Sequence, residues 1–331
     1  MITAKFGGTA MTAENLHHVK RLAEGCGCVV VSAPGRCADG EKVTDMLYRH
    51  FYGDGRAWKL IENRFLKIAA VNGIRCDVEK LLWQARRRSM RSLPYCLSLG
   101  EELSARLCAQ YIGAQYIEAE DCLRFDKGFN ARLSMQNLRK AFVGVKQGVM
   151  GGFYGGCDGG RRVFSRGGGD VSGCIAAVAL GSSVYRNWTD VEGVCRADPR
   201  RIQSPTIPFL SYGQMYRMAV SGAQVMHPQA VTVAKRAAMP VVVASFFNEN
   251  APFTLISNCP SPLPFLSVSE KIAGERVCTV LFNLPKSQVC RLIAQTVKGD
   301  ARVELGDFLR VYSKNSLLKP LYDAFSAVDV D

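Results

Sequence analysis

A run of glycines beside an arginine is the stretch of this chain best suited to bind an anion. Residues 165–170 read SRGGGD, follow the apolar pair Val163-Phe164 and precede a helical pattern over 171–180. Glycines let backbone N–H groups approach an oxyanion closely, and the start of a helix adds unpaired donors and a positive dipole end. Arg166 can bind a carboxylate or a phosphate through two parallel hydrogen bonds. The segment therefore predicts an anion-binding cradle.

A second candidate loop lies at the N-terminus. Residues 2–6 (ITAKF) have the pattern of a strand that carries Lys5, and Gly7-Gly8-Thr9 follows before a helical pattern. A lysine next to a diglycine turn suits phosphate binding, although a Gly-Gly pair after a strand is more often a plain turn. Because this chain has two such loops, each with a cation attached, we favour an anion-binding site.

The elements that must position these loops alternate along the first part of the chain. Helical patterns separate apolar strand-like runs at 2–6, 29–32, 115–118, 141–145, 184–187 and 241–244. This alternation predicts an α/β fold with a sheet covered by helices on both faces, a three-layer αβα sandwich. The candidate loops fall at strand ends, where open α/β sheets bind their ligands.

The pattern changes at the proline-rich residues 259–264 (CPSPLP), which neither a helix nor a sheet interior tolerates. We therefore predict two domains, over residues 1–258 and 263–331. In the second, the patterns predict a strand at 277–282, a helix at 288–297, strands at 302–305 and 308–312, and a helix at 317–325. This order resembles one small ferredoxin-like βαββα unit.

Composition excludes several classes of protein. The chain has 331 residues, 48% of them hydrophobic, but no apolar run of the roughly 20 residues that a membrane span needs. Its first residues lack the charged-then-apolar order of a signal peptide. We expect a soluble, cytoplasmic protein without a membrane partner.

The net charge of +13, from 42 basic and 29 acidic residues, calls for an anionic ligand or partner. The densest basic run is Arg86-Arg87-Arg88 with Arg91, on a predicted helix over 78–90. It has few interleaved aromatic residues and is more typical of a solvated helix face than of a nucleic-acid contact. A nucleotide substrate accounts for part of the charge, and we expect no nucleic-acid partner.

The thirteen cysteines are spread singly through apolar segments, which favours buried thiols over disulfides. Examples are Cys96, Cys108, Cys174, Cys278 and Cys290. Cys26-Gly27-Cys28 is the nearest approach to a ligand pair, and its spacing is wrong for a zinc knuckle. We predict no metal site built from protein side chains alone.

The order of motifs over residues 1–258 resembles the aspartokinases of the amino-acid kinase superfamily. The motifs are KFGGT at 5–9, VSA at 31–33 with Thr44-Asp45, SLGE at 98–101, Gly152-Phe153, RGGGD at 166–170, WTDVEGV at 188–194, ADPR at 197–200 and GAQVMHP at 222–228. The resemblance implies the carbamate-kinase-like type of αβα sandwich. It also implies transfer of the ATP γ-phosphoryl group to the side-chain carboxylate of L-aspartate, with Mg²⁺ bridging the phosphates. The product would be 4-phospho-L-aspartate, in the first step toward lysine, threonine and methionine-type amino acids.

The resemblance also implies roles for particular residues. The catalytic group would comprise Lys5, Gly8, Arg166 and Asp170. The aspartate pocket would comprise Ser32, Thr44, Glu101, Phe153, Arg166, Gly169 and Asp170. The ATP site would comprise Lys5, Gly7, Gly8, Thr9, Gly168, Thr189, Asp190, Asp198, Arg200 and Gln224. Taken alone, Thr189-Asp190 could equally be an Asx turn and Asp198-Pro199 a helix stop, and His227 is more typical of a core histidine than of a catalytic one.

Two positions depart from the family. Gly169 stands where the family usually has serine, and losing one such hydrogen bond typically costs about 1 kcal/mol. Gln224 stands where the family usually has lysine, which removes a cation near the nucleotide. These departures leave open a low-activity or altered-specificity paralogue that acts as a regulatory or binding protein, beside another carboxylate or carbamate kinase.

The C-terminal region departs from the family as well. Aspartokinases commonly carry two ACT units, which bind an end-product amino acid between them, and only one such unit fits here. We therefore expect feedback inhibition by lysine or threonine to be absent or altered. The single ACT-like unit could serve instead to form a homodimer, because a ferredoxin-like sheet offers an edge for pairing.

Overall fold

The computed structural model describes residues 1–37, 40–165, 167–221, 225–273 and 275–328. An eight-stranded sheet forms the centre of the first part of the chain. Its strands are β1 (Ile2–Phe6), β2 (Cys26–Val31), β3 (Gln115–Ile117), β4 (Gly148–Gly151), β7 (Val184–Thr189), β8 (Phe209–Ser211), β9 (Val241–Ser245) and β10 (Thr254–Ser257). A separate hairpin consists of β5 (Tyr154–Cys157) and β6 (Gly160–Val163).

The strand order of the large sheet is β3-β4-β2-β1-β7-β9-β10-β8. In this spatial order, all neighbouring strands from β3 through β4, β2, β1 and β7 to β9 are parallel, and β10 runs antiparallel to β9. The carboxyl ends of β4, β2, β1, β7 and β9 therefore meet at one edge of the sheet. This is the edge at which open α/β sheets place their ligands.

Helices cover both faces of the sheet. The first five are α1 (Leu16–Leu22), α2 (Val43–Phe51), α3 (Gly55–Val71), α4 (Val78–Arg88) and α5 (Leu93–Ile112). They are followed by α6 (Ala119–Cys122), α7 (Ala131–Ala141), α8 (Gly168–Ala179), α9 (Tyr212–Ser221) and α10 (Pro228–Arg236). A short 3-10 turn, Gly8–Met11, directly follows β1.

Strand β2 shows how the layers are built. All six of its residues are buried. Val29 and Val31 belong to the core cluster formed with α1 to α5, whereas Cys28 and Val30 belong to the cluster that contains α8, α9 and α10. Alternate side chains of a strand point to opposite faces, so the side chains of this strand pack into two hydrophobic cores, one on each face of the sheet. The predicted three-layer αβα sandwich is confirmed.

The strand predicted at 141–145 is wrong. Ala141 is the last residue of α7, and the strand lies at β4 (Gly148–Gly151) instead. Two glycines hide that strand from a propensity argument, yet both are needed: a Cβ on Gly148 would lie 2.6 Å from Phe142 Cε1, and one on Gly151 2.9 Å from Tyr154 Cε1. Close packing therefore outweighs intrinsic strand preference at this position.

The C-terminal unit is a four-stranded antiparallel sheet in the order β11-β12-β14-β13. Its elements are β11 (Phe265–Ala273), β12 (Glu275–Phe282), α11 (Lys286–Thr296), β13 (Arg302–Leu305), β14 (Leu309–Ser313) and α12 (Leu318–Ser326). The last five elements match the predicted βαββα pattern to within two residues at each end. Strand β11 was missed because it follows the proline-rich segment directly, and it adds an edge strand paired with β12 along its length.

Burial confirms most of the cysteine prediction. Cys96, Cys108, Cys174 and Cys278 are buried, but Cys290 is exposed. It lies on α11, whose one buried residue is Val289. Within the described residues, no helix is both long enough and apolar enough to cross a membrane.

Candidate active site

Two glycine-containing loops touch backbone to backbone at the carboxyl ends of β1 and β2. A Cβ on Gly8 would lie 2.7 Å from the carbonyl oxygen of Ala33, and one on Gly35 would lie 2.8 Å from the carbonyl carbon of Gly8. The Gly35 N–H donates to the Gly8 oxygen at 2.7 Å. No larger residue fits this contact, so glycine is required to bring the loop after β1 against the loop after β2.

Lys5 points from β1 toward the first turn of α8. Its Nζ lies 2.9 Å from Oδ1 of Asp170, and both side chains are largely buried, with 13% and 10% exposed. Helix α8 begins at Gly168, directly after Gly167 in the left-handed conformation (φ 79°). The ammonium group and the unpaired N–H groups of the helix start therefore lie together, as the predicted anion cradle requires.

Two further residues hold the Asp170 carboxylate, and the sequence argument missed both contacts. Asn187 Nδ2 on β7 donates to Oδ1 at 3.4 Å, and the backbone N–H of His227 donates to Oδ2 at 3.1 Å. Asn187 is 2% exposed. A buried side-chain amide normally has a hydrogen-bond partner, so an asparagine in a core strand could have indicated that Asn187 contacts a polar group of the site. His227 itself caps α10, because its Nδ1 accepts the Gln229 N–H at 3.2 Å.

Gly169 faces Lys5 and Ser32. A Cβ on Gly169 would lie 3.5 Å from Lys5 Cε and 3.5 Å from Ser32 Oγ, which is ordinary van der Waals contact. Gly152, after β4, lies close by, since a Cβ there would be 2.9 Å from the Gly169 Cα. The structure thus brings Lys5, Ser32, Gly169 and Asp170 into one cluster, with space for a small side chain at Gly169.

Glu101 is a buried carboxylate on α5 beside this cluster. It is 5% exposed, and its Oε2 is buried without a hydrogen-bond partner among the described residues. Burial raises the pKa of Glu101 to about 8, and a backbone hydrogen bond from Ala33 offsets only part of that rise. A buried acceptor without a donor is costly unless a ligand supplies one.

Phe153 lies in the loop after β4, next to Gly152. It has a left-handed backbone (φ 73°), which is unusual for a residue with an aromatic side chain. Its N–H donates to Ser172 Oγ at 3.1 Å, and that hydroxyl donates to the Gly168 oxygen at 2.9 Å. Strained backbone of this kind is concentrated at functional sites.

Of the other residues predicted for the ATP site, Thr189 and Asp190 lie at the end of β7, and Asp198 and Arg200 lie in a turn further along the chain. Thr189 Oγ1 donates to Asp190 Oδ1 at 3.2 Å, and Asp198 Oδ1 accepts the Arg200 N–H at 3.0 Å in a local turn. Among the described contacts, none joins Asp198 or Arg200 to Lys5. Their loop is attached instead to the C-terminal sheet, because the Val268 N–H donates to the Arg196 oxygen at 2.8 Å.

Two of the predicted site residues, Arg166 and Gln224, lie outside the described residues. Thr44 is half-buried in the first turn of α2, and Thr9 lies in the 3-10 turn with its oxygen accepting from Asn15 Nδ2 at 3.0 Å. In the described part of the chain, no group of three or more His, Cys, Asp or Glu side chains could hold a metal ion.

A cavity of about 630 Å³ lies beside this site rather than in it. Its walls come from the segment 12–15 and from α3, with Arg36, Arg64 and Lys67 among the lining residues. Arg64 Nη1 donates to the Gly35 oxygen at 2.8 Å, which links the cavity wall to the glycine contact. The predicted acceptor residues lie outside its lining, so the site is defined by side-chain chemistry and not by cavity size.

The sequence pattern of the amino acid kinase family matches residues 1–245, and the chain belongs to that family. Among curated proteins, aspartokinase 3 of Bacillus subtilis is 30% identical over 287 residues, covering 77% of this chain and 63% of that protein. An aspartokinase of Thermus thermophilus is 32% identical over 182 residues, covering 51% of this chain and 45% of that protein. The chain thus spans between about half and two thirds of the length of these relatives.

Solved structures show the same fold. Clostridium acetobutylicum aspartate kinase matches with a TM-score of 0.76 and 24% identity, covering 98% of this chain and 82% of that one. E. coli aspartokinase III, solved in complex with aspartate and ADP, matches with a TM-score of 0.73 and 21% identity, covering 96% and 79%. The structural similarity therefore includes the C-terminal unit, which lies beyond residues 1–245 that match the family.

Proposed function

We propose that this chain is an aspartate kinase, which transfers the γ-phosphoryl group of ATP to the side-chain carboxylate of L-aspartate. The product is 4-phospho-L-aspartate, in the first step toward lysine, threonine and methionine-type amino acids. Residues 1–258 form the kinase domain, and residues 263–331 form a single or truncated ACT-like domain. The aspartokinase relatives support this enzyme over the regulatory alternative.

The observation that carries the proposal is the Glu101 carboxylate next to the Lys5 cluster, whose Oε2 has no hydrogen-bond partner among the described residues. An amino acid carries an ammonium group as well as carboxylates, so its site needs a buried negative group beside positive ones. Glu101 Oε2 lacks a donor, and the acceptor's ammonium group supplies one. Ser32, Thr44, Phe153 and Gly169 line the same pocket, and Arg166 binds a carboxylate of the acceptor.

The chemistry needs no general base. A free carboxylate titrates near pH 4 and is already a nucleophile at neutral pH. The site must instead orient the two substrates and neutralise the charge of the transferred group. Lys5 and the backbone N–H groups of Gly7, Gly8 and Gly168 do this, and Asp170 keeps the Lys5 ammonium group aimed at the phosphates.

ATP and Mg²⁺ fit the residues present. The glycine start of α8 offers the unpaired backbone N–H groups of a helix N-terminus to phosphate oxygens, and the contact between Gly8 and Gly35 brings the loops after β1 and β2 together. Thr9, Thr189, Asp190, Asp198, Arg200 and Gln224 complete the nucleotide side. Mg²⁺ is held chiefly by the phosphates, where it supplies charge neutralisation.

The remaining parts of the proposal concern location and assembly. We place the enzyme in the cytoplasm, with L-aspartate and ATP as its small-molecule partners and no nucleic acid. It forms a homodimer through the ACT-like unit.

The first test is ADP release by the purified protein with Mg-ATP. L-aspartate is compared with L-glutamate, N-acetylglutamate and no acceptor, and hydroxylamine traps the acyl phosphate. Arg166→Ala and Lys5→Met serve as loss-of-function variants. We expect turnover with L-aspartate alone and its loss in both variants.

Two outcomes would contradict the proposal in different ways. Turnover with another acceptor would indicate a different carboxylate or carbamate kinase. Binding of ATP without turnover on any acceptor would indicate the regulatory paralogue.

A further inference from the structure

Arg161 on β6 is a buried arginine outside the site just described. Its side chain is 1% exposed, and it donates from Nη1 to Glu102 Oε2 at 2.7 Å and to Ser98 Oγ at 3.0 Å. Its Nε donates to Glu120 Oε2 at 2.6 Å. Burying a charge is costly unless geometry and hydrogen bonds compensate for it. These contacts therefore both compensate for the Arg161 charge and fix the position of its side chain.

Two tyrosine rings hold the same guanidinium from its faces. The Arg161 Cζ lies 4.4 Å from the ring centre of Tyr95 on α5 and 4.7 Å from that of Tyr154 on β5. Cations at this distance are attracted to aromatic faces, and more strongly when desolvated. Arg161 therefore joins helix α5 to the β5–β6 hairpin by both ionic and ring contacts.

The ion pairs around Arg161 are balanced in charge. Glu102 also pairs with Arg88 at 2.9 Å and with Arg106 at 3.1 Å. Glu118 lies 3.5 Å from both Arg106 and Arg161 and accepts from the Tyr154 hydroxyl at 2.8 Å. Three arginines thus meet three glutamates, Glu102, Glu118 and Glu120. One of these arginines, Arg88, belongs to the basic run whose composition predicts a solvated helix face.

The network adjoins the acceptor pocket through chain neighbours. Glu102 follows Glu101 on α5, and Tyr154 follows the strained residue Phe153. At the end of β4, a Cβ on Gly151 would lie 2.9 Å from the Tyr154 ring and 3.1 Å from the backbone carbonyl oxygen of Glu101. The residue after Phe153 and the backbone of Glu101 thus both pack against Gly151.

We propose that Arg161 is a positioning residue of the acceptor pocket, which holds Glu102 and Tyr154 together so that Glu101 and Phe153 keep the separation that the acceptor requires. This inference rests on the proposed function. Arg161 touches neither substrate, and its effect passes through the neighbours of the two pocket residues. Among the described contacts, none joins this network to the loops after β7, so the variant should affect the binding of the acceptor and not that of ATP.

The test compares Arg161→Gln with Arg162→Gln. Arg162 is the next residue on β6, exposed, and donates to the Asp126 oxygen at 2.8 Å. We expect Arg161→Gln to raise KM for L-aspartate about tenfold, with KM for ATP within about twofold of the wild type. Arg161→Lys, which keeps the charge, should recover part of the loss, and Arg162→Gln should behave like the wild type.

A second variant separates positioning from folding. The double variant Arg161→Met with Glu102→Met removes the two fully buried charges together. It leaves Arg88 and Arg106 with Glu118 and Glu120, two charges of each sign that are all partly exposed, so it should fold. It should still show the raised KM for L-aspartate. Hydrogen exchange gives a readout without any substrate: the amide of Phe153 should exchange faster in Arg161→Gln than in Arg162→Gln.

The outcomes distinguish this inference from the proposed function. A folded Arg161 variant with unchanged KM for L-aspartate and unchanged Phe153 exchange would overturn the inference alone. A wild-type protein without aspartate-dependent ADP release would overturn the proposed function alone. In that case the exchange measurement decides the positioning role, and equal exchange in the two glutamine variants would refute it.

Discussion

Lys5 Nζ and Asp170 Oδ1 lie 2.9 Å apart, although 165 positions separate the two residues in the chain. Strand β1 supplies the cation and the first turn of α8 supplies the anion. The Asp170 carboxylate is held in turn by Asn187 Nδ2 and by the His227 N–H. The lysine therefore approaches the glycine cradle in a fixed direction, which matters for a charge that must neutralise a phosphate.

Replacing Asp170 tests that relationship. Asp170→Asn removes the ion pair that orients the Lys5 ammonium group. We therefore expect kcat to fall about 100-fold. Asp158→Asn is the matched control, because Asp158 is fully exposed in the turn between β5 and β6. Steady-state ADP release measures both. A kcat within threefold of the wild type in Asp170→Asn would show that Lys5 needs no partner.

The buried carboxylate of Glu101 should make both stability and binding depend on pH. Burial raises its pKa to about 8 from an ordinary value of 4.5, so the folded state favours the neutral form. The stability this provides is complete below pH 4.5 and declines as the pH rises toward 8. At pH 7 the difference is on the order of 3 kcal/mol. Glu101→Gln, which mimics the neutral form, should therefore gain thermal stability over the wild type as the pH rises from 5 to 8.

Binding should show the opposite trend. The acceptor's ammonium group requires the ionised carboxylate, so wild-type KM for L-aspartate should fall as the pH rises from about 6 to 8. Glu101→Gln should raise this KM and remove the trend. Calorimetry in buffers of different ionisation enthalpy would detect the proton that Glu101 releases. If no proton is released near pH 7, the carboxylate is already ionised in the free protein.

Much of this site was accessible from the sequence because its parts lie in short segments. The strand with Lys5, the helix after it and the glycine start of α8 each follow from local patterns, and the parallel sheet brings them to one edge. The contacts of Asp170 with Asn187 and His227 join distant segments, so no local pattern contains them. Arg161 and Arg88 were inaccessible for another reason. Charged residues are mostly exposed, and a sequence gives no sign that Arg161 is buried or that Arg88 is paired with a buried carboxylate.

Gly169→Ser tests whether the missing hydroxyl matters. A Cβ at this position meets Lys5 Cε and Ser32 Oγ at 3.5 Å, so serine should fit without displacing either. One added hydrogen bond contributes about 1 kcal/mol, and we expect KM for L-aspartate to fall about fivefold. Gly167→Ser is the contrasting control: its left-handed φ of 79° and a 3.0 Å approach to His227 Cβ should lower the melting temperature instead. Unchanged kinetics in a folded Gly169→Ser would mean that the hydroxyl has no role here.

The C-terminal sheet should influence the nucleotide side through Glu270. This residue of β11 has a fully buried side chain that pairs with Arg201, three positions after Asp198, and with Arg276 at 3.4 Å. Burial alone would raise the pKa of Glu270, but hydrogen bonds from Arg201 and its neighbours hold it below its ordinary value. The carboxylate is therefore ionised and anchors the loop that carries Asp198 and Arg200.

Glu270→Gln should loosen that loop without touching the acceptor pocket. We expect KM for ATP to rise about tenfold while KM for L-aspartate changes less than twofold, the reverse of the Arg161 pattern. Glu275→Gln is the control, because Glu275 lies on the neighbouring strand β12 and its described ion pair is an exposed one, with Arg302 at 3.7 Å. Nucleotide affinity measured by titration would separate binding from turnover. Equal nucleotide affinity in the two variants would mean that the C-terminal sheet supports the fold and leaves the nucleotide loop independent.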